Sequence, residues 1–290
     1  MRLFLLTVLC MTIFASNSIL CRSALITFGM GPLQYTAIRG LCAAAMLAGL
    51  CIMGIIRKKR EGAGTLVQAW EQSSWSGAAG LFLYMLCFSL GYVDIPSAAG
   101  TLVLNTAVQF CMVGWGIFHG IRPGRQQSLG LFTAFAGLVW LVFPGLSSPP
   151  LWNAFLMACS GCAFGWFSLV GRKSTSAALA TAGNFIRCVP GGLAVAAAAL
   201  CLEHGAPWQA VACAVVSGGI ASSLGYILWY AIVPRYSLVS SSIIQLSIPV
   251  ITALLAVIFL GEAITWHLVF CSALILGGIG MATLAQRQKG

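Results

Sequence analysis

Very few side chains in this sequence carry charge: 7% of its 290 residues, with only five acids and three histidines. A soluble globular domain carries about 25% charged residues, so this chain has too little charge to cover a surface facing water. That shortage excludes a water-soluble protein and identifies an integral membrane protein. The net charge of +10 would point to nucleic acid in a soluble chain; here its placement in loops reports topology, and no nucleic-acid partner is expected. Glu61 and Glu71 fall in the loop RKKREGAGTLVQAWEQ at 57–72, and Asp94, Glu203, Glu262, His119, His204 and His267 fall at the ends of apolar runs. No titratable group inside a run therefore announces a proton relay. There is no His-x-x-x-His, no Gly-x-Ser-x-Gly and no pair of carboxylates within an apolar run. The usual means of building a membrane-embedded enzyme are missing. Cysteine is plentiful but scattered singly, as a small packing residue. Cys159 and Cys162 form a lone CxxC with no second half, so neither a metal nor another cofactor is expected.

Long apolar runs are what the chain does have. A helix crosses the hydrocarbon with roughly 20 apolar residues. Punctuation at polar and Pro/Gly clusters predicts ten spans, near 3–27, 32–56, 74–93, 96–119, 127–143, 151–171, 176–201, 208–232, 236–260 and 264–285. The opening MRLFLLTVLCMTIFAS has the look of a signal peptide, but no clean cleavage site follows and the apolar stretch resumes after Asn17, so it reads as the first span. With the N-terminus inside, 12 of the 15 Lys and Arg fall in cytoplasmic segments: Arg2, the RKKR run at 57–60, Arg122, Arg125, Arg172, Lys173, Arg235, Arg287 and Lys289. Asp94, Glu203 and Glu262 fall outside. This is a positive-inside pattern, predicting a multi-pass protein of the cell (inner) membrane with both termini cytoplasmic.

The second half repeats the first. At a shift of 141 residues, SGAAG at 76–80 meets SGGIA at 217–221, Gly100-Thr101 meets Ser241-Ser242, Thr106 meets Ser247, and AGLVW at 136–140 meets GGIGM at 277–281. For the second helix the shift is 148, which places Arg39 on Arg187. Five helices per copy is an odd number, so the copies insert in opposite senses. The expectation is an all-α membrane protein of ten transmembrane helices, built as two inverted-topology five-helix repeats at 1–145 and 146–290. Transporters of this construction hold substrate near the midplane, where the halves meet.

The stretches PLQYTAIRG at 32–40, SAAGTLVLNTAVQF at 97–110 and SLVSSSIIQLSIPVITALLAVIFLGEAIT at 237–265 resemble the drug/metabolite transporter superfamily, specifically its ten-helix EamA-type members. The resemblance covers nearly the whole chain. It implies helices 1–4 and 6–9 around a central cavity, helices 5 and 10 at the periphery, and export of small metabolites. One departure is that Gly261-Glu262 in the second half faces Gly120-Ile121, with no acid, in the first.

Polar side chains at membrane depth face a cavity or a neighbouring helix. Ser16-Asn17-Ser18 interrupts the first span, with Asn17 deep. Asn105 and Gln109 share one face of the fourth. The ninth carries Ser240, Ser241, Ser242, Gln245 and Ser247, and Pro249 releases the Gln245 carbonyl from its helical bond. Pro190 does the same for Ile186, beside Arg187, with Asn184 one turn earlier. Tyr84, Trp166, Tyr226 and Trp229 are aromatic walls or interfacial anchors. Arg39 lies roughly 10 Å into its helix and Arg187 roughly 16 Å. Each arginine either bonds backbone carbonyls or presents a fixed positive charge to a substrate anion. The lining expected for a small-molecule substrate is thus Asn17, Arg39, Tyr84, Asn105, Gln109, Trp166, Asn184, Arg187, Tyr226, Gln245 and Pro249, in a monomer or homodimer embedded in the lipid bilayer. Alternating access by a carrier is the leading function; a water-filled channel is the alternative.

Overall fold

The computed structural model describes residues 2–56, 65–120, 123–143, 149–236, 241 and 244–287. The basic run at 57–60, Arg122, Ser240, Ser242 and Lys289 lie outside the described residues. Every regular element described is helical: α1 (Arg2–Arg22), continued by a π-helical turn at Ser23–Thr27, α2 (Pro32–Ile52), α3 (Thr65–Gln72), α4 (Trp75–Gly91), α5 (Ser97–Phe118), α6 (Arg125–Val142), α7 (Leu151–Gly171), α8 (Ala177–Arg187), α9 (Val189–Leu202), α10 (Trp208–Val215), a π-helical segment at Val216–Ser222, α11 (Ser223–Ile232), a 3-10 turn at Val233–Arg235, α12 (Ser247–Leu260) and α13 (Trp266–Arg287).

Seven of these helical stretches are long and apolar enough to cross a membrane, and the bent pair α3–α4 makes an eighth if counted as one span. The seven join α8 to α9 and α10 to α11 as single spans. An eight-residue helix, α3, stands within the stretch from 57 to 72 that the sequence reading left as a loop, and it meets α4 at 89°.

Local chemistry sets the breaks. Ser74 and Ser176 cap α4 and α8, their hydroxyls accepting from the N–H groups of Gly77 and Leu179. Pro190 and Pro249 each sit in a first helical turn, where the missing N–H has no partner to lose; α9 therefore restarts after Cys188 and α12 after Leu246. Gly261 ends α12 in the left-handed region at φ +64°, where a side chain is disfavoured. That turn delivers the next residue, Glu262, onto α5: its carboxylate accepts from the Ser97 N–H at 2.8 Å and the Ser97 hydroxyl at 3.0 Å. Glu203 likewise accepts from the Leu33 and Gln34 N–H groups of α2, both at 2.9 Å. Both acids therefore complete helix N-termini, where backbone donors are orphaned and the dipole favours an anion.

Helices α6 and α13 form a pair of their own. A Cβ on Gly130 would sit 2.5 Å from the Gly278 carbonyl oxygen, and one on Gly278 would sit 2.5 Å from that of Gly130. Such small-residue contacts let backbones touch where lipid supplies no hydrophobic drive. The other spans surround a chamber.

Candidate functional site

The chamber has a volume of about 580 Å³, within the range of small-molecule sites. Its floor is a hydroxyl cluster. Tyr92 Oη lies 2.9 Å from Ser18 Oγ and 2.8 Å from Thr101 Oγ1, and the latter two are 3.0 Å apart. Beyond the floor, Arg22 Nε meets Glu262 Oε1 at 3.3 Å, and Arg22 Nη1 donates to the carbonyls of Tyr92 and Val93, each at 3.1 Å. At the other end the lining runs out through Ile117, Arg172 and Ala177, all exposed. The chamber is closed on the side of Glu262 and open on the side of Arg172.

Eight of the eleven expected lining residues meet there: Asn17, Arg39, Tyr84, Asn105, Gln109, Asn184, Tyr226 and Gln245. Arg39 is 2% exposed. Its Nη2 donates to Tyr84 Oη at 3.0 Å and its Nε to Ser222 Oγ at 3.4 Å. The guanidinium lies over the rings of Phe88 and Tyr84, 4.7 and 5.4 Å from their centres. Its Nη1 is buried without a hydrogen-bond partner. Asn17 Oδ1 accepts from Ser217 Oγ at 2.8 Å, while the Asn105 amide donates to the Thr101 carbonyl at 2.8 Å. Asn184 also works structurally, its Oδ1 accepting from the Ser74 N–H at the start of α4. Tyr226 and Tyr230 stack at 17°, and Phe14 packs against Tyr226 and Trp229.

Three expected residues lie elsewhere. The Trp166 indole donates to Ser76 Oγ at 2.9 Å and ties α7 to α4 outside the chamber. Pro249 is buried in the first turn of α12 and does not line the chamber. Arg187 turns to α3: its Nε donates to Ser73 Oγ at 2.7 Å, its Nη2 to the Trp70 carbonyl at 2.9 Å, and it stacks 3.9 Å from the Trp70 ring centre. Bonding a helix C-terminal carbonyl is the first of the two roles open to it from sequence. Arg187→Ala is expected to lower the protein's stability by about 1–2 kcal/mol. A lowered apparent melting temperature in detergent, with ligand affinity unchanged, checks this; altered ligand selectivity speaks against it.

The sequence reading missed Phe88, Phe164 and Ser222. Ser222 ends the π-helical segment, whose wider turn shifts the register of every later residue. No 3.6-residue pattern brings it to Arg39. Gly218 permits the contact, since a Cβ there would fall on the Arg39 carbonyl oxygen.

Known proteins resemble this chain in sequence and in fold. The EamA-like transporter family matches residues 151–284. An uncharacterized protein of Pseudomonas aeruginosa is 38% identical over 283 residues, 97% of this chain and 94% of its own length. A probable terminal-alkyne amino-acid exporter of Streptantibioticus cattleyicolor is 25% identical over 193 residues, 64% of each chain. A protein of known crystal structure, 20% identical, superposes with a TM-score of 0.64 over 100% of this chain and 99% of that one; that likeness concerns the fold.

Proposed function

Because this chain belongs to the EamA-like transporter family, we propose that it exports small organic compounds, amino acids or amphipathic molecules of similar size, as a secondary carrier working by alternating access. The observation that carries this reading is a solute-sized chamber open at one end and sealed at the other. A channel needs both ends open together; a carrier needs one closed. The exporter from S. cattleyicolor, matched over part of its length, supports amino acids or their relatives as cargo.

Packing supports two inverted repeats, at 1–145 and 146–290, in a ten-helix plan. Helix α4 packs on α7 as the α10–α11 span packs on α1, and α5 packs on α7 as α12 packs on α1. The α6–α13 pair stands as the peripheral helices of such a plan. The positive-inside pattern supports cytoplasmic termini in the inner membrane and sets the open mouth, beside Arg172, toward the cytoplasm. That is the loading state of an exporter.

The test begins with the medium of cells with and without the gene. At least one small organic compound is expected to be several-fold depleted outside cells that lack it. Proteoliposomes preloaded with that compound should then show transient accumulation of its labelled form, which requires a carrier. A steady current that does not saturate with solute would defeat the proposal.

A further inference from the structure

The described lining of the chamber contains no Asp, Glu or His. Of its two cations, Arg172 is exposed at the rim and Arg39 is buried at depth. Among the described residues the Arg39 guanidinium donates to two hydroxyls and lies over two ring faces, all neutral, and its Nη1 has no hydrogen-bond partner. Hydroxyls and ring faces soften a buried charge but do not neutralise it. A planar guanidinium with donors left over fits a carboxylate, which takes two parallel N–H bonds. One buried cation balances one negative charge. The chamber also has aromatic walls at Phe88, Phe164 and Trp229 and side-chain amides at Asn17 and Gln245. These suit an apolar body and a neutral polar group. The described lining offers no carboxylate to receive an ammonium.

We propose that Arg39 is the anion anchor of the chamber, and that the preferred substrates are monocarboxylates with an aromatic or aliphatic body and no free ammonium, such as aryl-alkanoic acids or N-acylated amino acids. This narrows the carrier reading to amphipathic acids, setting free amino acids aside, and rests on it for transport, but not for binding.

Three probes that share the phenylalanine skeleton test it on the full chain in lipid nanodiscs, by titration calorimetry: N-acetyl-L-phenylalanine, its near-isosteric neutral carboxamide, and zwitterionic L-phenylalanine. The acid is expected to bind at least about tenfold more tightly than the other two, the scale of one charge-assisted hydrogen bond. Arg39→Gln should erase that preference and leave affinity for the carboxamide within about twofold; Arg39→Lys should keep part of it. If the carboxamide or the zwitterion binds as well as the acid, or if none of the three binds, the proposal is overturned using unaltered protein alone, whatever the variants do. Counterflow of the same three compounds separates the two claims. Charge-selective binding without counterflow sustains the anchor and removes the carrier, whereas counterflow without charge preference sustains the carrier and removes the anchor.

Discussion

Gly218→Val is expected to abolish a stable fold in detergent, while Gly219→Ala next to it is silent. A Cβ at position 218 would fall on the Arg39 carbonyl oxygen and lie 2.9 and 3.0 Å from the Arg39 carbonyl carbon and Cα. These are backbone atoms of a helix and cannot rotate aside. The π-helical segment and α2 would have to separate, carrying the guanidinium away from Ser222. Overpacking that side chains can absorb costs about 1–3 kcal/mol. Displaced backbone is dearer, and a whole protein has only about 5–15 kcal/mol to lose. At Gly219 the nearest atom to an added Cβ is Met46 Cε at 4.0 Å, ordinary contact. Heating each variant before size-exclusion chromatography decides the matter. Equal melting of Gly218→Val and the unaltered protein would show that the two helices do not touch as described.

Glu262→Ala should open the sealed end of the chamber. The carboxylate serves Ser97 twice and Arg22 once. Removal takes the cap from α5, worth about 1 kcal/mol, and leaves the mostly buried Arg22 without its anion. Breaking a fully buried pair costs 3–5 kcal/mol. Here the side chains are 15% and 16% exposed, so a combined loss of about 2–3 kcal/mol is reasonable. If that loss falls on the sealed state, its population relative to an open one drops roughly 30- to 150-fold. Cys21 reports the change: it is fully buried and adjoins Arg22, whereas Cys201 is exposed. Labelling of Cys21 by a membrane-impermeant thiol reagent, relative to Cys201, should rise at least tenfold. Glu262→Gln keeps an acceptor for Ser97 and should fall between. Unchanged labelling of Cys21 would mean that this pair does not hold the seal.

Some of this was legible in the chain itself. The scarcity of charge required lipid around the helices, because a surface so poor in ions cannot face water. Asn17, Asn105, Gln109 and Gln245 were found because an amide in an apolar run must meet protein or water, and all four line the chamber. The two arginines show where such reading stops. Both stand in apolar runs after an isoleucine, 148 residues apart, yet Arg39 lines the chamber and Arg187 grips the end of α3. Linear pattern gives a residue's depth along a helix. It does not say which neighbour lies at that azimuth, and the neighbour of Arg187 is α3, a helix with no apolar run of roughly 20 residues to announce it. Asn184, one turn before Arg187 on α8, lines the chamber.

The π-helical segment at 216–222 is a second example. Its Gly-Gly and serines read as small residues for close packing, which they are. In the packed structure α2 lies against Gly218 while Ser217 reaches Asn17 and Ser222 reaches Arg39. Composition alone determined the solvent and the helical class, since each follows from how much polarity a stretch can carry into hydrocarbon. Only the packed structure decided which arginine is left with an unpaired donor over the chamber and which end is shut. Those outcomes belong to contacts between helices distant in the chain, and no local stretch encodes them.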